Sequence, residues 1–549
     1  MLDYQRLRAV TGIFVVAATT VLADAGGRAV SHAVSLVASD DGELAAPAAR
    51  DQTLSAEQIE DMVRRAVDLI GGMSAVVADT AHLVAIKPNI TIAQPSGSGI
   101  ITDARIIRAV AILVHEVAPE ARILITEGPG GWVSEETQEK HGMKIPFLWD
   151  LLGGMTADGF EVGGYRVVAE ELRGRGMDIA CFDINFDEPV ALKPDHGGLH
   201  DEEYIVASTI VEADAWINCP VMKTHGTKIT CAMKNQYGIL PGAIYGISKS
   251  SGTEHHGPLP HDPGVMDEIM VDLWMLTDMD LNVVDGIVGH EAGGLTDGEP
   301  IRTNMVLASR NPVAADLTAA YLMGFNPDDM EFAELAHRVG RGPRSFEQVE
   351  VRGRDAETLR QRFKKAGDAY KFVLFGGKWT HHANFGMGPR YWSLLGPLPR
   401  EHTFSEEEIL GIWPVPGAEG WSPVTWFGHD MIDLDDHFDD PDHCAVYAFT
   451  RFTMPTSDDV HYWVGSDEGL TVWIDGEQVY EHQGRRIHTL GMDRVPGHLE
   501  AGEHRLLVRA GQRRGKYEFS FNICEAIEDD DYAGNRYPGV KYYPTASGR

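Results

Sequence analysis

Lysine, histidine and amide side chains follow directly after apolar runs in this 549-residue chain. They fall in three short segments: Lys87 with Asn89, Lys223 to His225, and Lys234 with Asn235. Ammonium groups hold carboxylates or phosphates, and an imidazole transfers protons near neutral pH. We therefore predict a site for a small anion, in which Lys223 and His225 are catalytic and the ligand-binding residues are Lys87, Asn89, Thr224, Lys234 and Asn235.

Each of these segments also has a purely structural interpretation. Lys87 could pair with a helix carboxylate, and Asn89 could cap a turn. The segment from Lys223 to His225 could be an ordinary loop, and Lys234-Asn235 could begin a solvent-facing helix. Pro88 rigidifies the turn directly at a strand end, and this favours the functional interpretation of Lys87 and Asn89.

Carboxylates after a later apolar run add a third kind of chemistry. Asp285 could act as a general base, and with Glu291 it could hold a divalent ion. His261 is a further candidate metal ligand, close in sequence to Glu254-His255-His256. The alternatives are a plain turn at Asp285-Gly286 and a polar lid around the histidines. The cofactor is thus unknown, with a divalent metal as one candidate.

These residues need a scaffold of alternating strands and helices, and the hydrophobic periodicity indicates one. Strand, helix, strand in succession predicts a mostly parallel sheet, whose ligands sit at the carboxyl ends of its strands. The predicted helices are 56–70, 106–117, 267–276 and 312–323, and the predicted strands are 82–86, 122–126, 215–219, 281–284 and 305–308. Between residues 55 and 345 the chain is therefore expected to form an α/β domain.

Several segments in order resemble the family catalogued as domain of unknown function 362. They are residues 86–89 with Thr102-Asp103, 218–226, 232–238, 284–287, Gly293-Gly294, Gly298 and 311–316. The resemblance spans roughly residues 80–340, and several motifs in sequence are more specific than any single one. It implies the fold and a pocket, but no general reaction. Some relatives carry a cysteine-rich ferredoxin insertion that this chain lacks.

Beyond a linker at residues 346–389, the pattern changes to short strands. Asp475-Gly476 is a strong hairpin signal, and residues 390–549 are predicted to form a β-sandwich. Residues 463–476 with 499–508 resemble jelly-roll modules of the galactose-binding or PA14 type, which implies a glycan partner. Trp463 and Trp473 could stack on a sugar, although strand alternation makes both better core candidates.

The N-terminal residues are typical of export. Arg6 and Arg8 precede an apolar run that ends in Ala23-Asp24-Ala25, which predicts a signal peptide over residues 1–25. The run is too short to span a bilayer comfortably, so no transmembrane span is expected in the mature protein. The alternative is an N-terminal helix. Residues 26–54 are expected to be a solvated spacer.

Composition narrows the remaining function classes. Formal net charge is −35 at pH 7, which opposes nucleic acid and anionic membranes as partners. Five cysteines include no CxxC pair, so no iron–sulfur cluster is expected to be ligated by this chain alone.

The sequence therefore predicts an exported acidic protein, periplasmic, cell-surface or extracellular, whose α/β domain binds a small anion and acts on it. Two alternatives remain open: a cell-surface glycan-binding protein with a non-catalytic α/β scaffold, and a metal or redox accessory protein.

Overall fold

A computed structural model describes residues 32–39, 54–130, 158–194, 197–225, 228–250, 252–253, 256–261, 264–293, 298–366 and 386–543. The helices are α1 (Ala56–Leu69), α2 (Ala104–Val117), α3 (Gly159–Val162), α4 (Tyr165–Gly174), α5 (Ser208–Glu212), α6 (Ala232–Asn235), α7 (Gly242–Tyr245), α8 (Val265–Leu276), α9 (Pro312–Leu322), α10 (Glu331–Arg338), α11 (Ala356–Leu359), α12 (Glu406–Gly411) and α13 (Asp435–Phe438).

The strands of the first region are β1 (Ala33–Ala38), β2 (Leu83–Pro88), β3 (Arg122–Glu127), β4 (Ile179–Asp183), β5 (Pro189–Leu192), β6 (Tyr204–Ala207), β7 (Ala215–Cys219), β8 (Val221–His225), β9 (Lys228–Thr230), β10 (Leu281–Glu291), β11 (Glu299–Ser309) and β12 (Glu350–Gly353). Those of the second region are β13 (Tyr391–Pro399), β14 (Thr425–Trp426), β15 (Ile432–Asp433), β16 (Cys444–Met454), β17 (Asp458–Ser466), β18 (Gly469–Ile474), β19 (Glu477–His482), β20 (Asp493–Leu499), β21 (Gly502–Gly511), β22 (Glu518–Glu525) and β23 (Lys541–Tyr543).

A ten-stranded mixed sheet organises the first region, with strand order β12-β1-β11-β10-β7-β2-β3-β4 and the β8–β9 hairpin attached to β10. Strands β10, β7, β2, β3 and β4 run parallel, and β8 runs parallel to β10. Helices α1, α2 and α4 pack on one face of the sheet, while α8, α9 and α10 pack on the other. The predicted α/β region with a parallel sheet is confirmed.

Local sequence explains where the main helices begin. Ser55 caps α1 with a capping box completed by Gln58, and the Asp103 carboxylate accepts the backbone N–H of Arg105 at the start of α2. Helix α9 begins with Asn311 as its cap and Pro312 in its first turn. These caps place the helix starts next to strand ends, where the candidate residues lie.

The second region consists of antiparallel sheets. Strands β14, β13, β16, β21, β18 and β19 form one sheet with β23 on β16, and β15, β22, β17 and β20 form the other. Side chains from both sheets share one hydrophobic core that includes Val446, Tyr462, Val508 and Phe519. The second region therefore has the β-rich character that the short strand pattern predicts.

The structure differs from the predicted boundaries at both ends of the α/β region. Residues 33–38 fall in the expected spacer, yet they form the buried strand β1 between β11 and β12. Because both faces of this strand are covered, its short run of Ala, Val and Leu is stable only within the sheet. Strand β12 likewise extends the sheet into the expected linker.

The predicted signal peptide lies outside the described residues. Among the helices that the structure describes, none is long and apolar enough to cross a membrane.

Candidate functional site

The carboxyl ends of neighbouring parallel strands bring Lys87 and Glu127 together. Lys87 is the next-to-last residue of β2 and Glu127 is the last residue of β3, and the Lys87 Nζ lies 2.6 Å from the Glu127 Oε2. Both side chains are buried, and burial lowers the pKa of Lys87 while the Glu127 charge opposes that shift. The second carboxylate oxygen, Oε1, accepts the Gly128 backbone N–H at 2.9 Å.

Gly238 is required beside this pair. A Cβ at that position would lie 1.7 Å from the Glu127 Oε1 and 2.6 Å from the Lys87 Nζ. No side chain fits there without displacing the ion pair.

Three further lysines surround Glu127, and we call the four together the lysine cluster: Lys87, Lys223, Lys234 and Lys249. The charge of Glu127 acts on each of the four amines. The sequence predicts Lys87, Lys223 and Lys234 as site residues, and the structure places these three around the same carboxylate.

Lys223 is only 2% exposed, and its described hydrogen-bond acceptors are neutral oxygens. Its Nζ donates to the Asn89 Oδ1 at 2.7 Å and to the Ile100 carbonyl at 2.8 Å. Burial, and secondarily the charge of Lys234, lowers the pKa of Lys223 to about 7. This amine can therefore both release and accept a proton near neutral pH.

Lys234 and Lys249 complete the cluster. The Lys234 Nζ lies 4.2 Å from the centre of the Tyr237 ring, and the Lys249 Nζ donates to the Asn185 Oδ1 at 2.5 Å. Burial lowers the pKa of each lysine to about 8. Like Lys223, both amines contact neutral partners, so their positive charge is available to an anion.

A relay of buried amides fixes the oxygens that face the lysines. The Asn89 Nδ2 donates to the Asn235 Oδ1, the Asn235 Nδ2 to the Asn218 Oδ1, and the Asn218 Nδ2 to the Asn282 Oδ1, each at 2.8 Å. The Asn235 Oδ1 also accepts from the Lys87 Nζ at 3.1 Å. The predicted residues Asn89 and Asn235 thus hold ammonium groups in place through oriented amides.

Two histidines lie next to Lys234. Burial, reinforced by Lys234, lowers the pKa of His225 well below its ordinary value and that of His261 to about 3. The His261 ring packs edge-on against Tyr237 with 5.1 Å between ring centres, and its Nδ1 lies 3.2 Å from the Leu259 carbonyl. Both imidazoles are therefore neutral at pH 7 and can accept a proton only from a strong local acid.

Asp285 and Glu291 are engaged with backbone groups. The Asp285 carboxylate accepts the N–H of Asp103 at 2.7 Å and that of Ile287 at 2.9 Å, so it ties β10 to the start of α2. Burial, followed by the nearby charge of Asp103, raises the pKa of Asp285 to about 7. The Glu291 Oε2 accepts the Lys364 N–H at 2.8 Å.

The candidate metal ligands His261, Asp285 and Glu291 do not form one group of three. Within the described ranges, no group of three or more His, Cys, Asp or Glu side chains could hold a metal ion. Glu254, His255 and Asp262 lie outside the described residues.

Thr224 alternates with Lys223 along β8. It is fully buried, and its hydroxyl has no hydrogen-bond partner among the described residues.

Trp463 and Trp473 are buried in the second region, so the structure does not expose them for stacking on a sugar.

Sequence reasoning missed Glu127, Lys249 and Asn185 as site residues. Glu127 ends a strand at the same sheet edge as Lys87, so strand register could have identified it. Lys249 lies in a loop after α7 with a positive φ of 60°, and no periodic pattern marks such a position.

Comparisons with known proteins give distant relatives. The thylakoid-associated protein sll1697 from Synechocystis sp. is 23% identical over 299 residues, which cover 54% of this chain and 80% of the relative. Among solved structures, the lactate racemase apoprotein from Thermoanaerobacterium thermosaccharolyticum has a TM-score of 0.29 at 10% identity, over 48% of this chain and 55% of that one.

The PA14 domain of the antifreeze protein MpAFP has a TM-score of 0.15 at 11% identity, over 18% of this chain and 51% of that domain's chain. This chain thus spans about half the length of each of these two solved structures. The model of one family, described as a domain of unknown function (DUF362), matches residues 84–321, the stretch that contains Glu127 and the whole lysine cluster.

Proposed function

We propose that the α/β region binds a small anion at the lysine cluster and exchanges a proton with it. The observation that carries this proposal is the charge balance around Glu127. Among the described residues, three buried lysines and the partly buried Lys234 share two nearby carboxylates, Glu127 and Asp183, in a protein whose net charge is −35. An anion would supply the missing negative charge without exposing the lysines to water.

The roles of the amines follow from their contacts. Lys87 is already paired with Glu127, so it holds the site together. Lys234 and Lys249 contact neutral groups and would neutralise the anion. Lys223 has a pKa of about 7 and would transfer the proton, while the neutral imidazole of His225, two residues further along β8, is too weak a base to compete for it. The excess of ammonium groups repels a cation, so no divalent metal is proposed within the lysine cluster itself.

Thermal unfolding of the full chain with phosphate, sulfate and small di- and tricarboxylates tests the binding. A ligand at 100 times its Kd stabilises the native state by about 2.7 kcal/mol, so at least one anion should raise the Tm clearly. Lys234→Met should abolish this increase. A wild-type Tm that no anion in the panel changes would refute the proposal.

Lys193→Met is the control. Lys193 is an exposed lysine that lies 3.6 Å from Glu203, outside the lysine cluster. This variant should keep both the wild-type Tm and the full anion-dependent increase in Tm.

We also propose that the protein is exported and that the strands of the second region are connected in the order of a jelly roll. The charged and apolar residues before position 25 support export. Cell fractionation, with N-terminal sequencing of the mature protein, should find a chain that starts near residue 26. A chain retained inside the cell with residue 1 intact would refute export.

A further inference from the structure

The second region docks on the α/β region through buried charged groups. Asp329, which is 1% exposed and precedes α10, accepts the backbone N–H of Met387 at 2.8 Å and that of Arg536 at 3.0 Å. The Arg536 guanidinium donates to the Asp328 carbonyl at 2.8 Å, and the Asn326 Nδ2 donates to the Arg536 carbonyl at 3.1 Å. The short turn around Asp329 is thus held by the Met387 N–H, just before the second region, and by two backbone groups and the guanidinium of Arg536 within that region.

The same turn also contacts the β8–β9 hairpin, which carries Lys223 in its first strand. Strand β9 pairs with β8 so that Lys228 is opposite His225 and Thr230 is opposite Lys223. The Lys228 ammonium donates to the Asp329 carbonyl oxygen. Lys228 also has a positive φ of 82°, a conformation that a lysine keeps only when its surroundings hold it.

A second contact reaches the loop that carries His261. Gly264 is the cap of α8, three positions after His261, and a Cβ there would lie 2.7 Å from the His429 ring of the second region. Close by, the Arg390 guanidinium lies 3.0 Å from Glu331 and 3.2 Å from Asp430. The Gly264–His429 contact therefore lies three residues from His261, and the Asp329 turn reaches His225 through Lys228, which is opposite it in the hairpin.

We infer that the second region is a positioning element of the lysine cluster, which holds the β8–β9 hairpin in place through Asp329 and Lys228. The effect of this positioning on ligand binding rests on the proposed function, whereas the positioning itself does not. The contacts differ from those of an appended recognition module, which would keep its own surface free and leave the site intact when removed. Here the partners of Asp329 are the backbone of residues 387 and 536, so the hairpin loses its anchor when the second region moves.

Hydrogen–deuterium exchange of the full chain, without any ligand, tests this inference directly. Asp329→Ala removes the acceptor for both backbone N–H groups, and loss of such charge-assisted bonds should speed exchange in residues 221–230 by about tenfold or more. Exchange in β2 and β3 should stay unchanged. A folded Asp329→Ala protein with wild-type exchange in residues 221–230 would overturn the inference.

Variants of Lys228 keep the test decisive if Asp329→Ala does not fold. Lys228→Met should speed exchange in the same residues, and Lys228→Arg should restore slow exchange because a guanidinium can still reach the carbonyl. Lys193→Met is the control, since Lys193 is an exposed lysine that lies 3.6 Å from Glu203. Equal exchange rates in Lys228→Met and Lys193→Met would also overturn the inference.

The anion panel separates this inference from the proposed function. If the wild type binds an anion, Lys228→Met should weaken that binding by about tenfold, and Lys228→Arg should recover most of it. If the wild type binds none, the proposed function fails, while the exchange data still decide whether the second region holds the hairpin.

Discussion

Removing the carboxylate at the centre of the lysine cluster should cost far more stability than removing an equally short ion pair at the surface. The Lys87–Glu127 pair and the Arg64–Glu116 pair both have an N–O distance of 2.6 Å. The side chains of the first pair are 0% and 3% exposed, and those of the second are 37% and 49% exposed. The two pairs thus share their shortest N–O distance and differ strongly in burial, and the exposed pair has a second contact of 2.8 Å between the Arg64 Nη2 and the Glu116 Oε1.

Glu127→Gln leaves the Lys87 amine buried without its counter-charge. Breaking a buried pair on one side costs about 3–5 kcal/mol, whereas an exposed pair contributes about 0–1 kcal/mol after solvent screening. We therefore expect Glu127→Gln to lower the free energy of unfolding several-fold more than Glu116→Gln does. Release of the Lys87 proton would reduce the loss, because burial already favours the neutral amine.

Urea unfolding at pH 7, followed by far-UV circular dichroism, measures both variants on the same scale. An anion that binds the lysine cluster should shift the Glu127→Gln midpoint upward more than that of Glu116→Gln, because it replaces the lost charge. Equal midpoints for the two variants would refute the assignment of Glu127 as the compensating charge of the cluster.

Two further predictions concern protonation and capping. Burial lowers the pKa of Lys223 to about 7 and those of Lys234 and Lys249 to about 8, so the cluster loses positive charge as the pH rises through this interval. Between pH 7 and pH 8, anion affinity should fall by up to about tenfold per pH unit for each ammonium charge lost. Anion binding should also take up protons, which calorimetry in two buffers of different ionisation enthalpy detects. An affinity that is independent of pH would contradict this prediction. Asp316 is buried in α9 and accepts two backbone N–H groups at the start of α6, at 2.6 and 2.9 Å. Asp316→Asn should lower the free energy of unfolding by about 1–3 kcal/mol, measured by urea unfolding, and should weaken anion binding, measured by calorimetry. A variant unchanged in both measurements would contradict the role of Asp316 in holding the start of α6.

The sequence was sufficient to predict most elements of the α/β region and three of the four lysines. The strand prediction at 215–219 matches β7, and helix 312–323 matches α9 to within one residue. Parallel strands end at one edge of a sheet, so residues that follow strands converge even when they are distant in sequence. This is why Lys87 and Lys223 could be placed together.

The remaining features depend on tertiary contacts that local patterns do not encode. Asp285 follows the same strand-end rule, yet backbone N–H groups occupy its carboxylate. Strand β1 has only six residues in a polar segment, and it is a strand because β11 and β12 cover its two edges. The docking of the second region on Asp329 joins positions more than two hundred residues apart.

Strand β1 also sets the order in which the chain can fold. Ser35 hydrogen-bonds to Ala308, and the two residues are 273 positions apart. At typical synthesis rates the N-terminal strand waits roughly 15 to 50 seconds after its own translation before β11 exists to receive it. During that interval β1 is an apolar segment without its partner strand β11. A chaperone that recognises short hydrophobic stretches could therefore bind β1 in the nascent chain until β11 has been synthesised.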